Sequence, residues 1–137
     1  MKKSLIALCL CLCAGTTCPQ QPFKRSLVDK ENDIRLHIDL YEESINVPGM
    51  DMFGPMNGYL NGNVYGVWMI TSAKVQNDKT AILRLSNDLG SETQEVRLTV
   101  KNDSTYIFEQ QNGTAIKKVV NKKLVKIPQK LVFSPKK

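Results

Sequence analysis

Cysteine is missing from most of the chain. All four cysteines of the 137-residue sequence lie within residues 1–18, so residues 19–137 hold no pair that could form a disulfide bond. A chain of this remaining length is long enough to fold as one domain around a hydrophobic core. We therefore expect a single domain that packing stabilises without covalent cross-links.

Apolar runs of the roughly twenty residues that a membrane-spanning helix needs are also missing. The longest run follows Lys2 and Lys3 and ends at Cys13, and small and polar residues come after it. This order is typical of a secretory signal peptide. We therefore expect residues 1–18 to direct export, and the domain to be periplasmic, attached to the outer membrane, or secreted.

Cys18 is positioned where a bacterial lipoprotein carries its lipid-modified cysteine. The preceding Gly15-Thr16-Thr17 lacks the leucine expected three places upstream. Lipid modification of Cys18 and ordinary signal-peptide cleavage therefore stay open as alternatives. A lipid anchor at Cys18 would be the only membrane contact that we expect, and one acyl chain alone anchors weakly.

Groups suited to catalysis are scarce. His37 is the sole histidine, and Glu42 and Glu43 are adjacent, so on a strand their side chains would point to opposite faces. Met50, Met52 and Met56 carry soft thioethers of the kind that bind Cu(I), but no cysteine or histidine accompanies them. We predict a protein that is not an enzyme and that has no cofactor and no metal site.

Short alternating segments dominate the rest of the chain. Residues 34–41 alternate apolar and polar side chains strictly, which indicates a half-buried strand. Further strands are predicted at 64–73, 81–85, 96–100, 105–110 and 131–133, separated by turn residues. This pattern predicts an all-β fold: a single small antiparallel meander closed as a barrel or a sandwich.

Several segments lack a clear alternating pattern, so other structures are predicted for them or stay open. Residues 19–31 are polar with little periodicity, so we predict a flexible spacer before a β domain at 32–137. Residues 49–63 are rich in glycine and asparagine and predict a long loop. Asn112-Gly113 predicts a hairpin turn, and residues 114–127 fit either a strand or an amphipathic helix.

Two short motifs resemble lipocalin-like (calycin) domains of exported bacterial proteins. Gly66-Val67-Trp68 lies at the start of a predicted strand, and Asn102-Asp103-Ser104 turns the chain into an aromatic strand at 105–108. The resemblance implies a barrel with an apolar interior and a binding role instead of catalysis. The alternative is that Trp68 is simply the largest residue of the core.

The predicted 49–63 loop and the segment after it supply the first candidate site, because aromatic and methionine side chains cluster there among glycines. We predict that they bind a ligand or partner: Met50, Met52, Phe53, Met56, Tyr59, Tyr65 and Trp68.

The second candidate site is a basic patch near the C-terminus. Residues 111–137 contain eight lysines and no acid, whereas residues 19–110 contain nine Lys/Arg and thirteen Asp/Glu. The lysines either meet an acidic partner or guard exposed strands against aggregation. The predicted patch consists of Lys117, Lys118, Lys122, Lys123, Lys126 and Lys130.

These observations predict a non-catalytic exported β module that binds a small apolar ligand or an envelope partner. The alternative is an envelope structural or assembly protein that acts through its sheet edges and the basic C-terminal segment. Nucleic acid is not expected as a partner, because the protein is exported and aromatic residues are missing between the lysines.

Overall fold

Residues 21–136 are described by a computed structural model. The predicted signal peptide and Cys18 lie outside these residues, so export and lipid modification stay predictions. Among residues 21–136, no helix combines the length and the apolar character that crossing a membrane requires.

The described part of the chain is all-β apart from one short 3₁₀ helix at Asp51–Phe53. The strands are β1 (Lys24–Asp29), β2 (Ile34–Asp39), β3 (Gly58–Gly62), β4 (Trp68–Val75), β5 (Thr80–Asn87), β6 (Thr93–Asn102), β7 (Thr105–Gly113), β8 (Lys117–Val120), β9 (Lys123–Lys126) and β10 (Lys130–Pro135).

Eight of these strands form a closed antiparallel barrel. Strands β1 to β7 follow one another around it in chain order, and β10 closes the barrel between β7 and β1. Strands β8 and β9 form a separate two-stranded hairpin. The predicted all-β antiparallel meander is thus confirmed as a barrel, and this architecture is compatible with a lipocalin-like fold.

Buried hydrophobic side chains fill the barrel interior. The alternation predicted for residues 34–41 places Ile34, Leu36 and Ile38 inside, at most 2% exposed. Tyr106, Phe108 and the other strands' apolar residues complete one continuous core. An eight-stranded barrel is just wide enough for side chains to fill.

The spacer predicted at 19–31 is wrong for most of its length. Residues Lys24–Asp29 form β1, which pairs with β2 along its whole length and with the end of β10. Phe23 and Leu27 are completely buried. The outward side chains of β1 are polar, so the segment lacks the clear apolar pattern that predicts a strand. Closure of the barrel supplies β2 and β10, the partner strands that order it.

The loop predicted at 49–63 is shorter than expected, because β3 begins at Gly58. Gly58 has a φ of 148°, and a Cβ there would collide with the backbone carbonyl oxygen of His37 on β2. The glycine therefore permits a close strand-to-strand approach, not a turn. The next strand also begins later than predicted, at Trp68.

The C-terminal ambiguity resolves in favour of strands. Residues 117–120 and 123–126 form β8 and β9, and the predicted closing strand at 131–133 lies within β10. The turn expected at Asn112-Gly113 is not there, because Gly113 is the last residue of β7. The turn of this hairpin is at Asn121-Lys122, where φ is 52° and 67°.

Candidate functional site

The β8–β9 hairpin, residues 117–126, is the candidate functional site. It carries five of the six predicted basic-patch residues: Lys117, Lys118, Lys122, Lys123 and Lys126. The sixth, Lys130, lies on β10, and its Nζ is 3.7 Å from Oε2 of Glu109. The structure thus brings most of the predicted patch together on one two-stranded element outside the barrel sheet.

The two turn residues close the hairpin tightly. Asn121 and Lys122 both adopt positive φ, which is the geometry of a type I′ turn and matches the twist of paired strands. Asparagine tolerates this conformation better than most residues, whereas lysine adopts it rarely. Lys122 is exposed at the tip, so the turn presents its charge to solvent.

Two isoleucines fix the base of the hairpin. Ile116 precedes β8 and Ile127 follows β9, and both are buried in the barrel core, with exposures of 0% and 5%. The amide of Ile127 also donates to the carbonyl oxygen of Ile116 at 3.0 Å. An isolated two-stranded hairpin is only marginally stable in water, so this anchoring is what orders residues 117–126.

Gln110 holds the same base through hydrogen bonds. Its side chain is buried, and its Oε1 accepts from the amide of Ile116 at 2.9 Å. Its Nε2 donates to the carbonyl oxygen of Pro128 at 3.3 Å, so one side chain contacts the chain on both sides of the hairpin. Gln94 supports Gln110 by donating to its Oε1 at 3.3 Å and to the carbonyl oxygen of Thr114 at 3.1 Å.

The two glutamines were missed as functional residues in the sequence, although a signal for them exists. Gln94 precedes Val96 and Leu98 at inward-facing positions of β6, and Gln110 follows Tyr106 and Phe108 on β7. A buried polar side chain needs partners, and these are backbone groups at the hairpin base. The alternation predicts their inward direction but not those partners.

Each face of the hairpin combines lysines with aliphatic side chains. Val119 lies opposite Leu124, and Val120 lies opposite Lys123. The four aliphatic side chains are Val119, Val120, Leu124 and Val125, which are 49%, 40%, 52% and 41% exposed. Because side chains alternate along a strand, each face carries two lysines and two of these aliphatic residues.

One hairpin face borders a cleft of about 170 Å³. Lys117 and Leu124 line it from the hairpin, and the loop after β5 contributes Asp88, Leu89 and Glu92. Tyr65 and Trp68 also line this cleft. The amide of Tyr65 donates to the carbonyl oxygen of Lys117 at 2.7 Å, which joins the segment before β4 to the hairpin.

The predicted aromatic and methionine residues therefore do not form one cluster, because they lie on different parts of the structure. Tyr65, 59% exposed, and Trp68, 2% exposed, lie beside the hairpin. Met52 and Phe53 lie in the 3₁₀ turn with exposures of 81% and 54%, and Tyr59 lies on β3. Met50 and Met56 are half-buried, and Met56 forms a β-bridge with Ile45.

Two kinds of ionisable group bear on possible chemistry at the described residues: clusters of metal-ligand side chains and the single histidine. Within residues 21–136, no group of three or more His, Cys, Asp or Glu side chains is arranged to hold a metal ion. His37 is half-buried, and its Nδ1 lies 3.0 Å from Oγ of Ser26. Burial, followed by the charges of Lys136 and Arg35, lowers the pKa of His37 below its ordinary value of 6.5.

Comparison with known proteins assigns no family. No family model matches the sequence, and neither the curated proteins nor the solved structures contain a significant match.

Proposed function

We propose that this protein is a non-catalytic binding module that uses the β8–β9 hairpin to contact an anionic component of the cell envelope. The observation that carries the proposal is the hairpin itself, which projects five lysines and four half-exposed aliphatic side chains from an element outside the barrel sheet. Lysines supply attraction to negative charge, and the aliphatic side chains supply apolar area that a partner can cover.

The occupied barrel interior supports a partner on the outer surface. Twenty buried hydrophobic residues form the core, including Trp68, which the lipocalin resemblance associates with a ligand-holding barrel. A small apolar ligand would have to displace these side chains, and displacing well-packed core residues is costly. We therefore propose that the resemblance to lipocalin-like domains extends to the barrel architecture and not to a ligand held inside the barrel.

The anchoring of the hairpin also supports a binding role. Ile116, Ile127 and Gln110 hold its base, so its strands are positioned before a partner arrives. Preorganisation lowers the entropic cost of binding.

The experiment replaces Lys117, Lys118, Lys122 and Lys123 by glutamine and measures sedimentation of the protein with isolated envelope material. We expect the apparent affinity to fall by about ten-fold or more, because each exposed charge contributes a few tenths of a kcal/mol to about one. Binding by the parent protein should also weaken steeply as salt rises towards physiological concentration.

The matched control replaces four exposed cations elsewhere on the barrel: Lys74, Lys79, Arg84 and Lys101. This control should bind within about two-fold of the parent, and all three proteins should have similar thermal stability. Equal retention of the parent and the hairpin variant on the envelope would refute the proposal.

Assembly through a strand edge is the second candidate function, and β4 favours it. Strand β4 pairs with β3 only at Met69 and Trp68, so within residues 21–136 its remainder pairs with β5 alone. An unpaired strand edge can accept another strand. Sedimentation velocity over a range of protein concentrations tests this, and a monomer at every concentration would rule out self-assembly.

A further inference from the structure

A broad basic groove crosses the barrel wall where β10, β1 and β2 meet. It has a volume of about 730 Å³ and is lined by four cationic side chains: Arg25, Lys30, Arg35 and Lys136. None of these residues belongs to the β8–β9 hairpin. The groove is far larger than a single small ion and falls in the size range of ligand pockets.

Few acids offset these charges. Nη2 of Arg35 is 3.4 Å from Oδ1 of Asp33, in an exposed ion pair. Arg25 donates to the carbonyl oxygen of Asp103 at 3.2 Å, and it forms no ion pair with any of residues 21–136. Neither Lys30 nor Lys136 forms an ion pair with any residue of the described chain. The groove therefore keeps a net positive charge.

Arg25 joins this groove to a second one of about 370 Å³. The second groove contains His37 and Tyr59, whose ring centroids are 4.8 Å apart. Serine hydroxyl groups occur in both grooves, with Ser26 in the second and Ser134 in the first. The two grooves share Arg25 in their linings, and together they offer cations, hydroxyl groups and the rings of His37 and Tyr59; we call the pair of grooves the track.

We propose that this track binds an acidic polysaccharide, a linear glycan that carries repeated carboxylate groups. Guanidinium and ammonium groups pair with the carboxylates, and the Tyr59 ring offers an apolar face to the sugar rings. Serine hydroxyl groups donate to and accept from sugar hydroxyls. A simple inorganic polyanion would use the cations alone, so the mixed lining favours the glycan.

The lowered pKa of His37 supports the placement of Lys136 and Arg35 close to this side chain. Burial lowers the pKa of this side chain, and Lys136 and Arg35 lower it further. Those two cations are therefore close enough to disfavour an additional positive charge at His37. A bound carboxylate polymer would offset them and raise the pKa of His37.

The test measures binding of the full chain to oligogalacturonate by calorimetry. The triple variant Lys30→Gln, Arg35→Gln, Lys136→Gln should bind about ten-fold more weakly, since it removes three cations that face the glycan. The control variant Lys74→Gln, Lys79→Gln, Lys101→Gln removes the same charge elsewhere and should stay within about two-fold of the parent. A triple groove variant that binds like the parent overturns the proposal.

Tyr59 tests the ligand class. Tyr59→Phe keeps the ring and should bind oligogalacturonate nearly as well as the parent, whereas Tyr59→Leu should bind it several-fold more weakly. Thermal melting of both variants verifies that the barrel is intact. If polyphosphate of equal charge binds as tightly as oligogalacturonate and Tyr59→Leu has no effect, the glycan assignment is wrong.

His37 gives a separate readout, because it is the only histidine in the chain and its ring signals need no assignment among others. A titration followed by nuclear magnetic resonance should show its pKa rising when oligogalacturonate saturates the parent. An unchanged pKa would contradict binding in the track.

The hairpin lysine variant described under Proposed function should keep its affinity for oligogalacturonate. Glycan binding by the track is therefore tested independently of envelope binding by the hairpin. If the hairpin variant loses this binding and the groove variant keeps it, the glycan belongs to the hairpin and the track is refuted.

Discussion

Replacing Gln110 by methionine would test how the candidate site is held on the barrel. The two side chains have similar length and volume, so the substitution removes hydrogen bonds without opening a large cavity. Gln110 is 5% exposed, and its side chain contacts Ile116, Pro128 and Gln94. The variant therefore isolates the polar part of the anchoring.

The magnitude follows from which partners stay unpaired. The amide of Ile116 loses its acceptor, and Ile116 is completely buried, so that group costs about 1–3 kcal/mol. Gln94 keeps its bond to Thr114, and the carbonyl of the exposed Pro128 can turn to water. When the net contribution of the lost hydrogen bonds is added to this cost, we expect the free energy of unfolding to fall by about 2–4 kcal/mol.

Denaturant unfolding gives this difference, and amide hydrogen exchange locates it. Exchange should accelerate most at Ile116 and in the hairpin, since local opening there no longer breaks the bonds to Gln110. The neighbouring Gln111 is exposed, so Gln111→Met is the matched control and should change stability by less than about 0.5 kcal/mol. A Gln110→Met variant as stable as that control, with unchanged exchange at Ile116, would refute the reasoning.

Three further predictions test other parts of the protein. Trp68→Ala should lower the free energy of unfolding by about 3–5 kcal/mol, because Trp68 is 2% exposed within the core; a variant as stable as the parent in denaturant would show that its burial is wrong. Burial raises the pKa of Asp39, but hydrogen bonds from Ser44 and the Glu42 and Tyr41 amides outweigh it, so the pKa is below its ordinary value of 3.8. The ionised carboxylate therefore contributes stability that is complete well above pH 3.8 and is lost as pH falls through the lowered pKa; Asp39→Asn should be less stable at neutral pH, and its deficit should disappear on acidification. Residues 1–21 fused to a reporter should direct it across the membrane, and labelled palmitate that is lost in Cys18→Ser would identify a lipoprotein; retention of the fusion in the cytoplasm would contradict the predicted signal peptide.

Strands were predictable from the sequence where one face is apolar and the other polar. The segments around Leu36, Leu83 and Leu98 alternate clearly, and each is a barrel strand with its apolar residues inside. This pattern depends only on the two-residue repeat of a strand, so it can be recognised without knowing the neighbouring strands. The lysine-rich composition of residues 117–126 was visible in the same direct way.

Features that depend on pairing with residues far away in the chain were not predictable from the sequence. Strand β1 has few apolar residues, and it is ordered by β2 and β10, whose end lies more than 100 residues later in the chain. Gly113 has the sequence context of a turn, but a close approach to β6 at Thr93 explains it.

The sequence by itself determined the all-β class, the main strands and the concentration of lysine near the C-terminus, because these are local properties of composition and period. Only the tertiary structure decided that the sheet closes as a filled barrel, that Ile116, Ile127 and Gln110 hold the lysines on a separate hairpin, and that Arg25, Arg35 and Lys136 meet in one groove. The physical reason is that closure and side-chain convergence depend on contacts between residues far apart in the chain, which no local pattern records.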